Sequence, residues 1–296
     1  MVDLPYYYEE SRKKYLESLI PIIILLLIAI VLIGKTTTFF CSVPGLSALF
    51  CGGRMINIAV IGDFTTGDTL VKAPELKALL DGEIGRACNM QYQVFAPEDL
   101  TYVKESLLKK YDLLVLVGER NYTRPVREAV ENYLKNGGKI VIIGDAATKD
   151  PEDPLYIGWG HIKVPMVLRQ NPELSDDGIP YVNLKNPELR VVDLENPIVV
   201  GYGLKVNLTE IPDKPSCGGG EEGLTVIDVN PTTGTTVFVV TGESDEKKKT
   251  IPAVIEESSM FGGTVYYFAF DPGCMPNAWV STVQQITGKA TCVAGA

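Results

Sequence analysis

The stretch "YDLLVLVGERNYTRPVREAVENYLKNGGKIVIIGDAAT", Tyr111 to Thr148, constrains the fold more than any other. Two continuous apolar runs, "DLLVLVG" and "KIVIIGD", flank one amphipathic segment. Successive residues of a strand point to opposite faces, so a strand that is apolar throughout must be covered on both. Two such strands joined through a helix lie parallel in one sheet. The helix is punctuated at both ends: Thr123 as a candidate N-cap, Pro125 in the first turn, Gly137 at the close.

The same alternation begins upstream. "INIAVIGDF" reads as a buried strand, "APELKALLDGE" as a helix, "YQVFAP" as a short strand and "EDLTYVKESLLKKY" as a helix with Leu100, Val103, Leu107 and Leu108 on one stripe. After Asp150 the texture changes. "KDPEDPLYIGWGHIKVP" and "NPELSDDGIPYVNLKNPELR" are rich in Pro, Asn and Gly and read as loops. "RVVDL", "PIVVGY", "LTVIDV", "TTVFVVTG", "IPAVIEES" and "TVYYFAF" are strand-like, "ESDEKKKT" reads as a solvated hairpin tip, and "NAWVSTVQQITG" as a terminal helix.

A different feature governs the first 54 residues. "LIPIIILLLIAIVLIG", Leu19 to Gly34, contains no charged residue. At about 1.5 Å per residue it falls slightly short of a ~30 Å hydrocarbon layer, and Tyr15, Leu16, Ser18 and the 36–40 stretch can extend it. A transmembrane helix is expected; the preceding segment is long and carries acids as well as bases, unlike a cleaved leader. Arg12, Lys13 and Lys14 before the span put the N-terminus in the cytoplasm and the rest outside. This divides the chain into a tail (1–18), a membrane helix (19–34), an apolar linker (35–54) and an extracytoplasmic α/β domain (55–296). Partners follow: the bilayer, other membrane or surface proteins, and a homo-oligomer as a further option.

Export fits six cysteines, an even number. Cys41 and Cys51 bracket Pro44-Gly45 and are expected to pair; Cys88, Cys217, Cys274 and Cys292 supply up to two more bridges of unassigned connectivity. Asn121-Tyr-Thr and Asn207-Leu-Thr are candidate glycosylation sites. A net charge of −10 excludes a nucleic-acid surface.

The order of motifs, with "KIVIIGDAAT", then "NPIVVGYG", then "PAVIEES" and "GGTVYYFAFDPG" before a closing helix, resembles the class I glutamine amidotransferase-like fold, nearest its ThuA-like branch. The resemblance spans residue 55 to about 290 and implies a flavodoxin-like three-layer sandwich with a parallel central sheet. It also implies a nucleophilic cysteine in the turn after "KIVII", completed by a His–acid pair. Here that turn is Gly144-Asp145-Ala146, and the one histidine is His161 in "GWGHIK". Amidotransferase chemistry is therefore not expected.

Four strand-like runs end in an acid: Asp63, Glu119, Asp145 and Asp271. If those strands are neighbours, the acids face one crevice beyond the carboxyl ends of the sheet. There they can cap turns and helices, hold Ca²⁺ or Mg²⁺, or act as acid and base on a sugar. His161, with Trp159 beside it, is a further candidate for a sugar or protein surface. "GDFTTGD" lacks both the G-x-G-x-x-G spacing and a Walker lysine, so no nucleotide cofactor is indicated. The expected function is a non-catalytic membrane-anchored domain in assembly or ligand binding. The alternative is an extracytoplasmic carbohydrate-active enzyme with an acid-lined crevice.

Overall fold

The computed structural model describes residues 55–102, 108–162, 166–169, 178–199, 203–208, 217, 223–258 and 263–288, with Pro21 and Leu25 as isolated positions. The apolar run at 19–34 therefore lies, but for those two, outside the described residues, as do Cys41, Cys51 and Cys292. Among the described residues no helix is long and apolar enough to cross a membrane. The chain divides into two compact units, Met1–Arg54 and Met55–Ala296.

The unit begins with β1 (Ile56–Gly62), α1 (Pro74–Asp81), α2 (Glu83–Ala87), β2 (Met90–Phe95), α3 (Asp99–Tyr102), β3 (Leu113–Val117), α4 (Arg124–Lys135) and β4 (Lys139–Ile143). All five residues of β3 are buried, so both faces of the sheet are covered, as its unbroken apolar run requires. Thr123 occupies the N-cap position of α4 but makes no side-chain capping bond; its carbonyl accepts from Arg127 N–H at 3.0 Å instead. Gly137, at φ +82, turns the chain out of the helix as its position predicts.

The later elements are β5 (Lys149–Asp150), β6 (Asp153–Ile157), β7 (Met166–Leu168), β8 (Tyr181–Val191), β9 (Lys205–Asn207), β10 (Leu224–Ile227), β11 (Val229–Pro231), β12 (Thr235–Ser244), β13 (Lys247–Ser258), β14 (Thr264–Phe268) and α5 (Pro276–Thr287). The main sheet runs β10-β8-β12-β13-β14-β4-β3-β1-β2, with β9 beside β8. β2, β1, β3, β4 and β14 are mutually parallel, the 2-1-3-4-5 order of flavodoxin-like folds. From β13 onward the neighbours are antiparallel. The fold is thus mixed α/β, and the expectation of a parallel central sheet holds for half of it. Hairpins explain the other half. β12 and β13 turn at Asp245-Glu246, both at positive φ, inside the stretch read as a solvated tip.

Three sequence readings are corrected. The stretch "KDPEDPLYIGWGHIKVP", read as a loop, contains the antiparallel pair β5 and β6. Residues 181–191, read mostly as loop, form the long strand β8. Its proline is accommodated by a bulge: Asn186 adopts φ +48, and pairing with β12 jumps from Thr241–Glu188 to Glu243–Lys185. Pro187 sits inside that jump, where no ladder hydrogen bond needs its missing N–H. Conversely, "PIV" of the expected strand "PIVVGY" is a 3₁₀ turn, Pro197–Val199.

Cys217 and Cys274 are joined by a disulfide across a separation of 57 residues. Cys88 is also disulfide-bonded, its partner lying outside the described residues.

Candidate functional site

β1, β3, β4 and β14 are adjacent, so the four acids that follow them do line one edge of the sheet. The crevice beyond that edge, however, is filled by the chain itself. The loop 63–73 from β1 and the turn after β3 interlock backbone to backbone. A Cβ on Gly118 (φ +80) would stand 2.0 Å from the Asp63 carbonyl oxygen, and one on Gly67 (φ +96) would stand 2.0 Å from that of Gly118. Only glycine allows strands of chain to approach so closely.

Each acid has a distinct occupation. Asp63 accepts from Thr65 N–H at 2.8 Å, Thr65 Oγ1 at 3.0 Å and Thr66 N–H at 2.8 Å. Those bonds, Thr65 N–H foremost, hold its pKa at about 2. Asp145 is fully buried and accepts from Leu70 N–H at 2.9 and 3.0 Å and from Val71 N–H at 3.2 Å. Burial raises its pKa, opposed by those bonds and by Arg120, whose Nε lies 3.6 Å away. Asp271, 3% exposed, accepts from Glu75 N–H at 2.8 Å, Leu76 N–H at 3.1 Å and Gly273 N–H at 2.8 Å. It thereby caps α1, whose own N-cap residue, Ala73, has no side chain able to do so. Burial outweighs these three bonds and pushes its pKa up to about 7.

Glu119 is half-buried and leans over the β1 loop: its Oε1 would lie 3.1 Å from a Cβ on Gly67. Burial raises its pKa, and Asp68, Glu98 and Asp63 add to the effect. The edge therefore splits. Asp145 and Asp271 are buried and accept backbone N–H groups, whereas Asp63, which accepts backbone N–H groups as well, and Glu119 are only partly buried, and the Asp63 charge reaches Glu119. Among the described residues no group of three or more His, Cys, Asp or Glu is placed to hold a metal ion.

The turn 144–148 is buried throughout. Gly144 lies under Val71, whose Cβ would be 2.4 Å from a Cβ there, and Trp159 Nε1 donates to the Ala146 carbonyl at 2.8 Å. Trp159 is itself fully buried, so it offers no sugar-binding surface. His161 belongs to the 3₁₀ turn Gly160–Ile162. Of the sequons, Asn121 is exposed but donates from Nδ2 to Asp68 Oδ2 at 2.7 Å, while Asn207 lies exposed on β9.

Sequence reasoning missed four residues here. Asp68 accepts from Arg120 N–H at 2.6 Å and fastens the loop to β3's end. Arg120, 7% exposed, stands between Asp68 and Asp145. Tyr267 is a fully buried phenol whose pKa is raised by burial and then by the charges of Asp145 and Asp228, and the Asp228 pKa is itself raised by burial. The doubled acid spacing in "GDFTTGD" is the one signal that could have pointed to Asp68; the others are set by tertiary contacts.

No family model matches the chain, and no curated protein matches it either. Solved structures do. A ThuA-like protein from Bacteroides uniformis superposes with a TM-score of 0.51 at 13% identity, over 79% of this chain and 93% of its own. A ThuA-like protein from Parabacteroides merdae gives 0.50 at 14% identity, over 81% and 93%. A cytoplasmic protein from Salmonella typhimurium LT2 gives 0.49 at 11%, over 78% and 99%. At such identities the likeness concerns the fold alone: the unit shares the mixed α/β architecture of the ThuA-like structures.

Proposed function

We propose that this chain is a non-catalytic, membrane-anchored extracytoplasmic domain that acts in assembly or ligand binding, as a subunit of a membrane or cell-surface complex. One observation carries the reading: the turn Gly144-Asp145-Ala146 is sealed beneath Leu70 and Val71, and its carboxylate is spent on their N–H groups. A reacting group needs a path to its substrate and a site about 3 Å away for the reacting atom. Neither exists at a turn covered by its own chain. The anchor rests on the uncharged run 19–34 with Arg12–Lys14 before it, and export is supported by the Cys217–Cys274 bridge.

A second reading has its own observation. Glu119 is raised and Asp63 is lowered to about 2, the divergence that separates an acid from an ionised partner in glycoside hydrolysis. An extracytoplasmic carbohydrate-active enzyme would use that pair rather than Asp145.

Purification of the full chain in mild detergent, with identification of proteins present in stoichiometric amount, tests the assembly reading. Protease added to sealed cells tests the topology. Cleavage within residues 55–296 from outside is expected, and complete protection contradicts it.

A further inference from the structure

Cys88 is buried and disulfide-bonded. Cys217 and Cys274 are joined to one another, so the partner of Cys88 is Cys41, Cys51 or Cys292. The two units of the chain separate these three. Cys88 and Cys292 belong to Met55–Ala296, and Cys41 and Cys51 both belong to Met1–Arg54. Pairing inside each unit leaves no thiol over. Cys88 with Cys41 or Cys51 would leave the other of those two to find Cys292 in the opposite unit.

The helices set the distance that such a bridge must cross. Gly273, just ahead of α5, lies against the backbone of α1: a Cβ on it would stand 2.1 Å from Leu76 N. Asp271 caps α1 from the same turn. α1 and α5 therefore start side by side at the carboxyl edge of the sheet. α5 ends at the opposite edge, where Ile286 and Thr287 line a cavity with Tyr111 and Asp112, just ahead of β3. α1 is followed by α2, which ends at Ala87 beside Cys88, just ahead of β2. Across that edge Asp112 Oδ2 accepts from Asn57 N–H at 2.9 Å, and the Asn89 carbonyl accepts from Ile56 N–H at 2.9 Å. The starts of β3, β1 and β2 thus stand in a row, and two strand spacings are about 10 Å. Four residues, from Gly288 to Cys292, extend up to about 14 Å, and a disulfide adds about 6 Å between Cα atoms. The tail is long enough to reach Cys88.

We propose that Cys88 is bonded to Cys292, so that α5 is held at both ends: through Cys274 to Cys217 ahead of it and through Cys292 to Cys88 behind it. Cys41 and Cys51 then close their own ring. Closing a bridge takes two electrons and two protons from two thiols; the disulfide of an oxidising protein receives them by exchange and becomes a dithiol. The bridge goes beyond the assembly reading and is independent of it: an activity found for this domain would remove that reading and leave the pairing as it is.

Tryptic digestion of the full chain without reductant, its free thiols blocked beforehand, reads the pairing directly. Cleavage after Arg86 and Lys104 releases 87–104, cleavage after Lys289 releases 290–296, and 36–54 contains both Cys41 and Cys51. Mass spectrometry is expected to find 87–104 joined to 290–296, and 36–54 unjoined but lighter by two hydrogens than after reduction. Peptide 87–104 joined to 36–54 overturns the proposal, and so does 87–104 recovered with a blocked thiol. Variants guard against exchange during handling. Cys292→Ser is expected to leave one thiol, that of Cys88, reactive on unfolding. Cys51→Ser is expected to leave Cys41 reactive instead and Cys88 still oxidised. A Cys88 thiol freed by Cys51→Ser, or still oxidised in Cys292→Ser, contradicts the assignment.

Discussion

Asp271 shows how one residue can be both a brace and a liability. Its carboxylate receives three backbone N–H groups, which favour the ion, yet burial wins and lifts its pKa from 3.8 to about 7. Between those values the unfolded chain has released the proton and the folded chain still holds it. Stability contributed here is therefore greatest at low pH and falls as pH rises from about 4 to about 7, by no more than about 4 kcal/mol. Asp271→Asn keeps an acceptor for α1 but abolishes that slope. Thermal melts at about pH 5 and about pH 8 should show the wild-type advantage over the variant shrinking as pH rises. Asp145 is raised in the same direction by burial, so its own contribution to stability also falls as pH rises above 3.8. An advantage that grows with pH would mean that the ion, and not the acid, is the buried form.

The loop 63–73 and the turn after β3 behave as one element, because their glycines allow mutual contact. Gly118→Ala would set a Cβ 2.0 Å from the Asp63 carbonyl oxygen at a positive φ, and neither backbone can retreat without breaking β1 or β3. A loss of roughly 2–4 kcal/mol is expected in chemical denaturation. Exposed Gly203 shows no such approach, and Gly203→Ala should change little. Elements of this kind mark the limit of what the sequence discloses. The parallel half was legible, because buried strands such as "LLVLV" have no polar alternation to confuse with a helix or a loop. β8 was not, because Asn186-Pro187 is turn chemistry by local rules and only pairing with β12 makes it a bulge. The four acids at the sheet edge were legible as a set. What Asp145 and Asp271 do was not, since the N–H groups of Leu70 and Val71 that donate to Asp145, and those of Glu75 and Leu76 that join Gly273 in donating to Asp271, lie 74–75 and 195–196 residues away in sequence.

At the scale of the whole molecule, the bridge from Cys217 to Cys274 ties a distant segment to the turn that carries Asp271. Removing it by Cys217→Ser with Cys274→Ser should lower stability by about 2–4 kcal/mol, through the loop it closes in the unfolded chain. Non-reducing mass spectrometry should find both cysteines oxidised in protein taken directly from cells. The fold is shared with ThuA-like structures, but a fold hosts many activities, and function must be argued at the site. We propose that Asp63, Asp145 and Asp271 hold the chain in place through backbone N–H groups and that none of the four acids at this sheet edge does chemistry. The most direct test is turnover by the full chain of glutamine, acyl-ester and glycoside substrates, beside Asp145→Asn and Glu119→Gln at matched folded fraction. The account predicts that the wild type and both variants are equally inactive, indistinguishable from buffer. Turnover by the wild type that disappears in either variant while the fold remains intact would contradict it.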